Sequence, residues 1–367
     1  MERKTVYVLA GVAGAAILAT ILLVVTTSGG SSPSTEPLRS DGTQILLIGG
    51  GQHHDGAEAR SYDDRIVSFS PSSGASRLWP ARLATGRLRH VAGRLGNLVV
   101  VAGGSIGSLE GSGHELWVDS VETLDLEGEA RRFEPAADMR KSRESADGIS
   151  AAGRFLACFG NAKGVAFWHD CEEFSLESST WRRLPRSSRL VTETDAAMAV
   201  GFSNHVYSIG GRCDYRGYAF DYPSCYLRQF YRLDASAKGS GQKWERLADL
   251  PRRRAGAELG VVPENERNGT LIVVCGGRMR LPPSGRRADG ATDCDAYSVD
   301  SDRWIPFPSL NEVRYNFRME TADGKLFALG GFNKDTIEIY EPERHKWRIL
   351  DERLPYEMAN FATVVID

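Results

Sequence analysis

An apolar run closed by two glycines recurs six times along this chain: LLIGG ends at Gly50, VVAGG at Gly104, LACFG at Gly160, YSIGG at Gly211, VVCGG at Gly277 and FALGG at Gly331. Successive copies lie 54, 56, 51, 66 and 54 residues apart, a period that marks a propeller, a solenoid or another array rather than a single irregular domain. Ile272, Val273 and Val274 show why each copy reads as a strand: β-branched residues suit a pleated surface, and the glycines after them accept the backbone angles that end it sharply. Upstream of most copies lies a second apolar run, joined by Gly96-Asn97, Ser203-Asn204, Asn268-Gly269 or Asp323-Gly324, with Gly153 in the remaining complete case. These are hairpin signals. Downstream comes a polar loop and then two aromatic-bearing strands. Phe174 and Trp181, Tyr297 and Trp304, and Tyr340 and Trp347 are each seven apart, whereas Phe69 to Trp79 and Tyr231 to Trp244 are stretched and Leu124 and Phe133 stand in the second copy.

A double glycine after a strand, followed by a tyrosine and a tryptophan separated by six residues, resembles the kelch repeat. The resemblance covers residues 43 to 367 and implies an all-β fold, a six-bladed propeller of four-stranded blades. Copy three departs from the pattern, with Phe159-Gly160-Asn161 in place of the clean pair. Residue 43 leads directly into a double-glycine strand with no hairpin partner before it, and Ala362 to Ile366 has no double glycine after it. Pairing that last run with Gln44 to Ile48 would complete the sixth blade and close the ring, leaving only short, protected edges.

Within this register the six cysteines fall into order. Cys158 and Cys275 each stand at the end of a second strand, and Cys171 and Cys294 each precede a blade tryptophan by ten residues. Facing positions of antiparallel neighbours come within disulfide reach, so the expected pairs are Cys158 with Cys171 and Cys275 with Cys294. Cys213 with Cys225 would staple a loop between the same two strands of the fourth copy. The alternative is a cytosolic chain with six reduced, buried thiols. No C-x-x-C pair points to structural zinc.

Disulfides require an oxidising compartment, and the N-terminus offers a route. Residues 1–5 read as a short cytoplasmic tail, 6–25 as a transmembrane signal anchor and 26–42 as a Ser/Gly/Pro-rich stalk ahead of the propeller. Val6 to Val25 is almost wholly apolar, and at about 1.5 Å per residue it is long enough to cross a hydrocarbon core of about 30 Å. Arg3 and Lys4 precede it, so the positive-inside rule predicts a single-pass type II membrane protein with an extracellular or lumenal propeller. A cleaved signal, giving a secreted protein, is the alternative. Asn268-Gly269-Thr270 is the one N-x-S/T sequon and predicts a glycoprotein modified at Asn268 in a hairpin turn.

A net charge of −3, from 45 basic and 48 acidic side chains, gives no footprint for nucleic acid. Function is expected on the loops that follow the double glycines, since loops on a rigid scaffold vary without disturbing its core. The candidate binding face comprises His53, His54, Arg60, Trp117, Trp168, Arg212, Tyr215, Tyr218, Tyr222, Arg254, Arg278, Arg280 and Arg314, because aromatic and arginine side chains anchor protein interfaces. The expected partner is a protein or a glycan, with no cofactor and no metal. A carbohydrate-active enzyme is the other reading. Galactose oxidases resemble kelch propellers but need a cysteine crosslinked to tyrosine, and SLESSTW and SVDSDRW lack the glycine of the sialidase Asp-box. A kelch-type sialic-acid mutarotase would hold its sugar in the central channel. An enzyme of this kind requires an axial pocket lined by acids and arginines, a binder a broad aromatic and basic loop face.

Overall fold

The computed structural model of the chain describes residues 42–51, 61–107, 115–162, 168, 170–184, 194–195, 198–213, 226–237, 242–265, 269–279 and 290–367. Contacts separate Met1–Glu36 from Pro37–Asp367, and everything described belongs to the second unit. Its described residues form six four-stranded antiparallel sheets. Blade 1 runs Val91–Leu95, Leu98–Ala102, Val121–Asp125, Glu134–Ala136; blade 2 runs Asp147–Ala151, Arg154–Cys158, Cys171–Ser175, Thr180–Arg183. Blade 3 runs Met198–Phe202, His205–Ile209, Phe230–Asp234, Trp244–Arg246; blade 4 runs Glu258–Asn265, Gly269–Cys275, Cys294–Ser298, Arg303–Phe307. Blade 5 runs Arg318–Ala322, Lys325–Leu329, Thr336–Glu341, Lys346–Arg353. Blade 6 takes its inner strand, Ala362–Ile366, from the C-terminal end and its other three, Gln44–Ile48, Ile66–Phe69 and Ser76–Leu78, from the N-terminal end. Each inner strand touches the next around the ring, so the six enclose a central channel.

Alternation puts apolar side chains on both faces of a blade, and six buried clusters fill the spaces between neighbouring blades. The seven-residue aromatic spacing is explained by register: Phe174 faces Trp181, Tyr297 faces Trp304 and Tyr340 faces Trp347 across the outer hairpin. Each of those indoles donates Nε1–H to the carbonyl just after the preceding blade's outer strand, from Trp181 to Ala137 (2.9 Å), Trp304 to Ala248 (2.7 Å) and Trp347 to Pro308 (3.0 Å). The longer hairpin of blade 3 shifts this pairing, and Trp244 faces Leu233 instead of Tyr231.

The glycine pairs answer a second contact between blades. Both residues of every described pair have positive φ, for example 67° and 84° at Gly103 and Gly104, which L side chains reach only under strain. A Cβ on Gly103 would lie 2.6 Å from the Arg143 carbonyl and one on Gly276 2.6 Å from that of Arg314. The second residue of the pair donates to the same carbonyl, Gly104 to Arg143 at 2.6 Å and Gly277 to Arg314 at 2.9 Å. Blade 2 keeps the turn without the first glycine, because Phe159 itself adopts φ 63°.

Those arginines are the least expected feature. Arg87, Arg143, Arg254 and Arg314 each stand four residues before an inner strand and are at most 1% exposed. In each, Nη1 donates to the carbonyl closing its own blade's second strand, at 3.1 Å (Gly103), 2.8 Å (Phe159), 3.2 Å (Gly276) and 2.6 Å (Gly330). It also reaches a carbonyl at the start of the third strand: Ser120, Asp170, Asp293 and Thr336. Another nitrogen of each arginine binds a buried carboxylate on that strand: Glu122 by Arg87 Nη2, Glu172 by Arg143 Nη2, Asp295 by Arg254 Nη2 and Glu338 by Arg314 Nε. Removing one partner of such a pair strands a buried charge, which costs about 3–5 kcal/mol. Arg143→Met is therefore expected to lower unfolding free energy in urea by about that amount, well beyond the effect of Arg77→Met on an exposed outer strand.

Cys158 faces Cys171 and Cys275 faces Cys294 at matching register, and both pairs are bonded. Cys225, the second member of the Cys213 pairing, lies outside the described residues, as do Asn268 and Val6–Val25. Among the described residues no helix is long and apolar enough to cross a membrane. Blade 1 carries Ala102 facing Val121 at the disulfide position. Replacing Cys275 and Cys294 by this Ala and Val pair should preserve the fold and lower its stability by about 2–4 kcal/mol, read by thermal unfolding without reductant.

His90 is fully buried directly before the inner strand of blade 1, where other blades carry Ala146, Ala257, Phe317 and Phe361. Burial, reinforced by the charges of Arg87 and Arg318, holds its pKa well below the usual histidine value. The unfolded chain therefore binds a proton that the folded chain refuses as pH falls through the ordinary histidine range, so the imidazole's contribution is present above that range and lost below it. The stability advantage of the wild type over His90→Ala should shrink between about pH 7 and about pH 5. An advantage independent of pH would contradict a neutral, buried imidazole.

Candidate functional site

Two residues beyond each arginine position the chain turns through positive φ: Arg89 (53°), Ser145 (53°), Gly256 (62°), Asn316 (53°) and Asn360 (56°). Their backbones link successive blades around the axis, Asn360 N–H donating to the Asn316 carbonyl (3.0 Å), Arg89 to Asn360 (2.8 Å) and Ser145 to Arg89 (3.1 Å). This collar rims the channel mouth on the face that carries the long loops. A cavity of about 90 Å³ sits within it, and one of about 220 Å³ lies in the channel lumen.

Directly beneath the collar are the first residues of the inner strands. Val91, Met198 and Ala362 are apolar, but the same position holds Asp147, Glu258 and Arg318. Arg318 Nη1 lies 3.3 Å from Asp147 Oδ1 and 3.2 Å from both Glu258 oxygens, and its Nε donates to the Phe361 carbonyl at 3.0 Å. Glu320, two residues further in, accepts from the Thr363 hydroxyl at 2.8 Å. Burial pushes the Asp147 carboxyl up to about 6 against the pull of Arg318. Burial again, with the Asp147 charge adding to it, pushes Glu258 up to about 8. Two carboxyl groups separated in this way beside one guanidinium can hold and exchange a proton near neutral pH. Among the described residues no group of His, Cys, Asp or Glu is placed to hold a metal ion.

Around the collar three cations lie over aromatic rings: Arg65 over Tyr356 (4.0 Å), Lys141 over Trp168 (3.6 Å) and Arg278 over Tyr315 (4.5 Å). Tyr315 also stacks on Phe332, with centroids 5.2 Å apart, and Trp168 is fixed by an indole bond to the Ser142 carbonyl (3.0 Å). These side chains are half-buried.

Of the residues expected on this face, Trp168 and Arg278 belong to these pairs. Trp117 is half-buried in a short strand, Leu116–Trp117, paired with Ser105–Ile106. The backbone of Arg212 pairs with Asp195. Arg254 and Arg314 are corrections: both are fully buried and committed to blade carbonyls and carboxylates, so they offer nothing to a partner. His53, His54, Arg60, Tyr215, Tyr218, Tyr222 and Arg280 lie outside the described residues. Sequence reasoning missed Asp147, Glu258 and Arg318. Their signal was available, since charge replaces an apolar residue four places after three of the buried arginines.

The Kelch motif matches residues 314–352, which span the blade 5 arginine, its glycine pair and the Tyr340–Trp347 hairpin. Kelch-like protein 21 of Rattus norvegicus is 32% identical over 72 residues, covering 18% of this chain and 12% of that protein. Kelch-like protein 26 of Danio rerio is 23% identical over 192 residues, covering 49% of this chain and 28% of that protein. The chain thus spans well under a third of the length of these relatives. The structure titled "Structure of YjhT" superposes with a TM-score of 0.60 at 12% identity, covering 83% of this chain and 97% of that one, a likeness of fold. The chain is thus a six-bladed β-propeller that carries a Kelch motif in its fifth blade and is similar in sequence to kelch-like proteins.

Proposed function

We propose that this propeller is a protein-binding module that engages its partner through the long-loop face. The observation that carries the reading is the set of three cation–π pairs around the channel mouth. Such pairs present large aromatic area and a cation already held in place, so little side-chain freedom is lost when a partner covers them. The same reading has the chain held in a membrane by Val6–Val25 with the propeller on the extracytoplasmic side, or secreted after cleavage, with Asn268 glycosylated. The two buried cross-strand disulfides support an oxidising compartment. A glycan is the alternative ligand.

A second reading, a carbohydrate-active propeller, is favoured by the axial cluster of Asp147, Glu258 and Arg318 beside the lumen cavity. The two are separated by partner capture and glycan arrays with the full chain and two variants. Trp168→Ala/Arg278→Ala/Tyr315→Ala should weaken a captured partner's affinity by at least about tenfold while thermal stability stays close to wild type. Asp147→Asn/Arg318→Met should leave that affinity intact. An unchanged affinity in the triple variant, with sugar binding or turnover abolished in the channel variant, would sink the binding-module reading in favour of the enzyme.

A further inference from the structure

Arg318 opens the inner strand of blade 5 and Asp147 that of blade 2, three blades away around a ring of six. Their contact at 3.3 Å therefore crosses the channel along its diameter, with Glu258 of blade 4 held by the same nitrogen at 3.2 Å. All three residues line both the mouth cavity and the lumen cavity, so the guanidinium lies between the two spaces. We propose that Asp147, Glu258 and Arg318 form a proton-operated closure of the axial channel. With the carboxylates charged, the guanidinium is held across the axis; once both carry protons, it is released and the mouth and lumen become continuous.

Two carboxylates converge on one nitrogen of one cation, so their mutual repulsion is only partly offset and burial penalises the second charge. Glu258, pushed up to about 8, takes the first proton, and Asp147, pushed up to about 6, the second. The other charged groups facing the cluster do not replace them. Glu320 on the same strand is bound to Thr363 and is itself pushed upward by burial. On the blade 1 side, His90 is held neutral and Arg87 is paired with Glu122. In the collar Arg89 is paired with Glu144, and further along the lumen Arg94 is paired with Asp367. The described part of the blade 3 inner strand, Met198–Phe202, has no titratable side chain. After both protons bind, Arg318 is a buried cation without a counter-charge, an arrangement that drives the side chain toward water. The cavities on either side supply the room.

The test is a pair of crystal structures of the full chain at about pH 9 and about pH 5, above and below the range in which both groups take up protons, with the Asp147→Asn/Glu258→Gln variant at the higher pH. The expected result is Arg318 bridging Asp147 and Glu258 in the wild type at high pH, and out of hydrogen-bond range of both at low pH and in the variant. A bridging guanidinium in the acidic wild-type crystal would overturn the closure. So would a bridging guanidinium in the variant. If the variant does not fold, the two wild-type structures decide the matter alone.

Discussion

The buried arginine that precedes an inner strand is the interaction on which the propeller depends. One side chain satisfies the carbonyl that ends its blade's second strand, a carbonyl at the start of the third strand and a carboxylate one turn of the pleat further in. Its own backbone carbonyl meets the glycine pair of the blade before. Each unit is thus tied within itself by a side chain and to its neighbour by the main chain. A buried ion pair gives uncertain net stability compared with apolar packing, yet it is unforgiving of misplacement. That property suits an array of similar sheets, in which sliding one blade by a residue would otherwise cost little.

The distribution of the device supports this. Blades 1, 2, 4 and 5 carry both the arginine and the acid, at Arg87 and Glu122, Arg143 and Glu172, Arg254 and Asp295, and Arg314 and Glu338. At the corresponding positions blade 3 has Thr194 and Tyr231, and blade 6 has Met358 and Val67. Where the cation is missing, so is the carboxylate.

Most of the fold was legible in the chain. The glycine pairs, the aromatic spacing, the closure by the last strand and two cysteine pairings follow from period and register, because strands of one repeat must face each other at fixed offsets. The arginines were misread for a physical reason: an isolated Arg254 or Arg314 in a polar connection is ordinarily solvated, and nothing local announces that two carbonyls and an acid converge on it. The axial cluster was hidden differently. Asp147, Glu258 and Arg318 are far apart in sequence and meet only because the ring brings the first residues of its inner strands to one level.

Blade 6 has a consequence for how the protein comes into being. Its inner strand, Ala362–Ile366, comes last of the described strands in the chain, while the three it completes come first. During synthesis Gln44–Ile48 must therefore wait with an unsatisfied edge and an uncovered apolar face until Ala362–Ile366 has left the ribosome. Contacts of such long sequence separation form slowly and leave the nascent chain open to mispairing with other copies. The window of greatest risk for this protein is thus the interval between the emergence of Gln44–Ile48 and that of Ala362–Ile366.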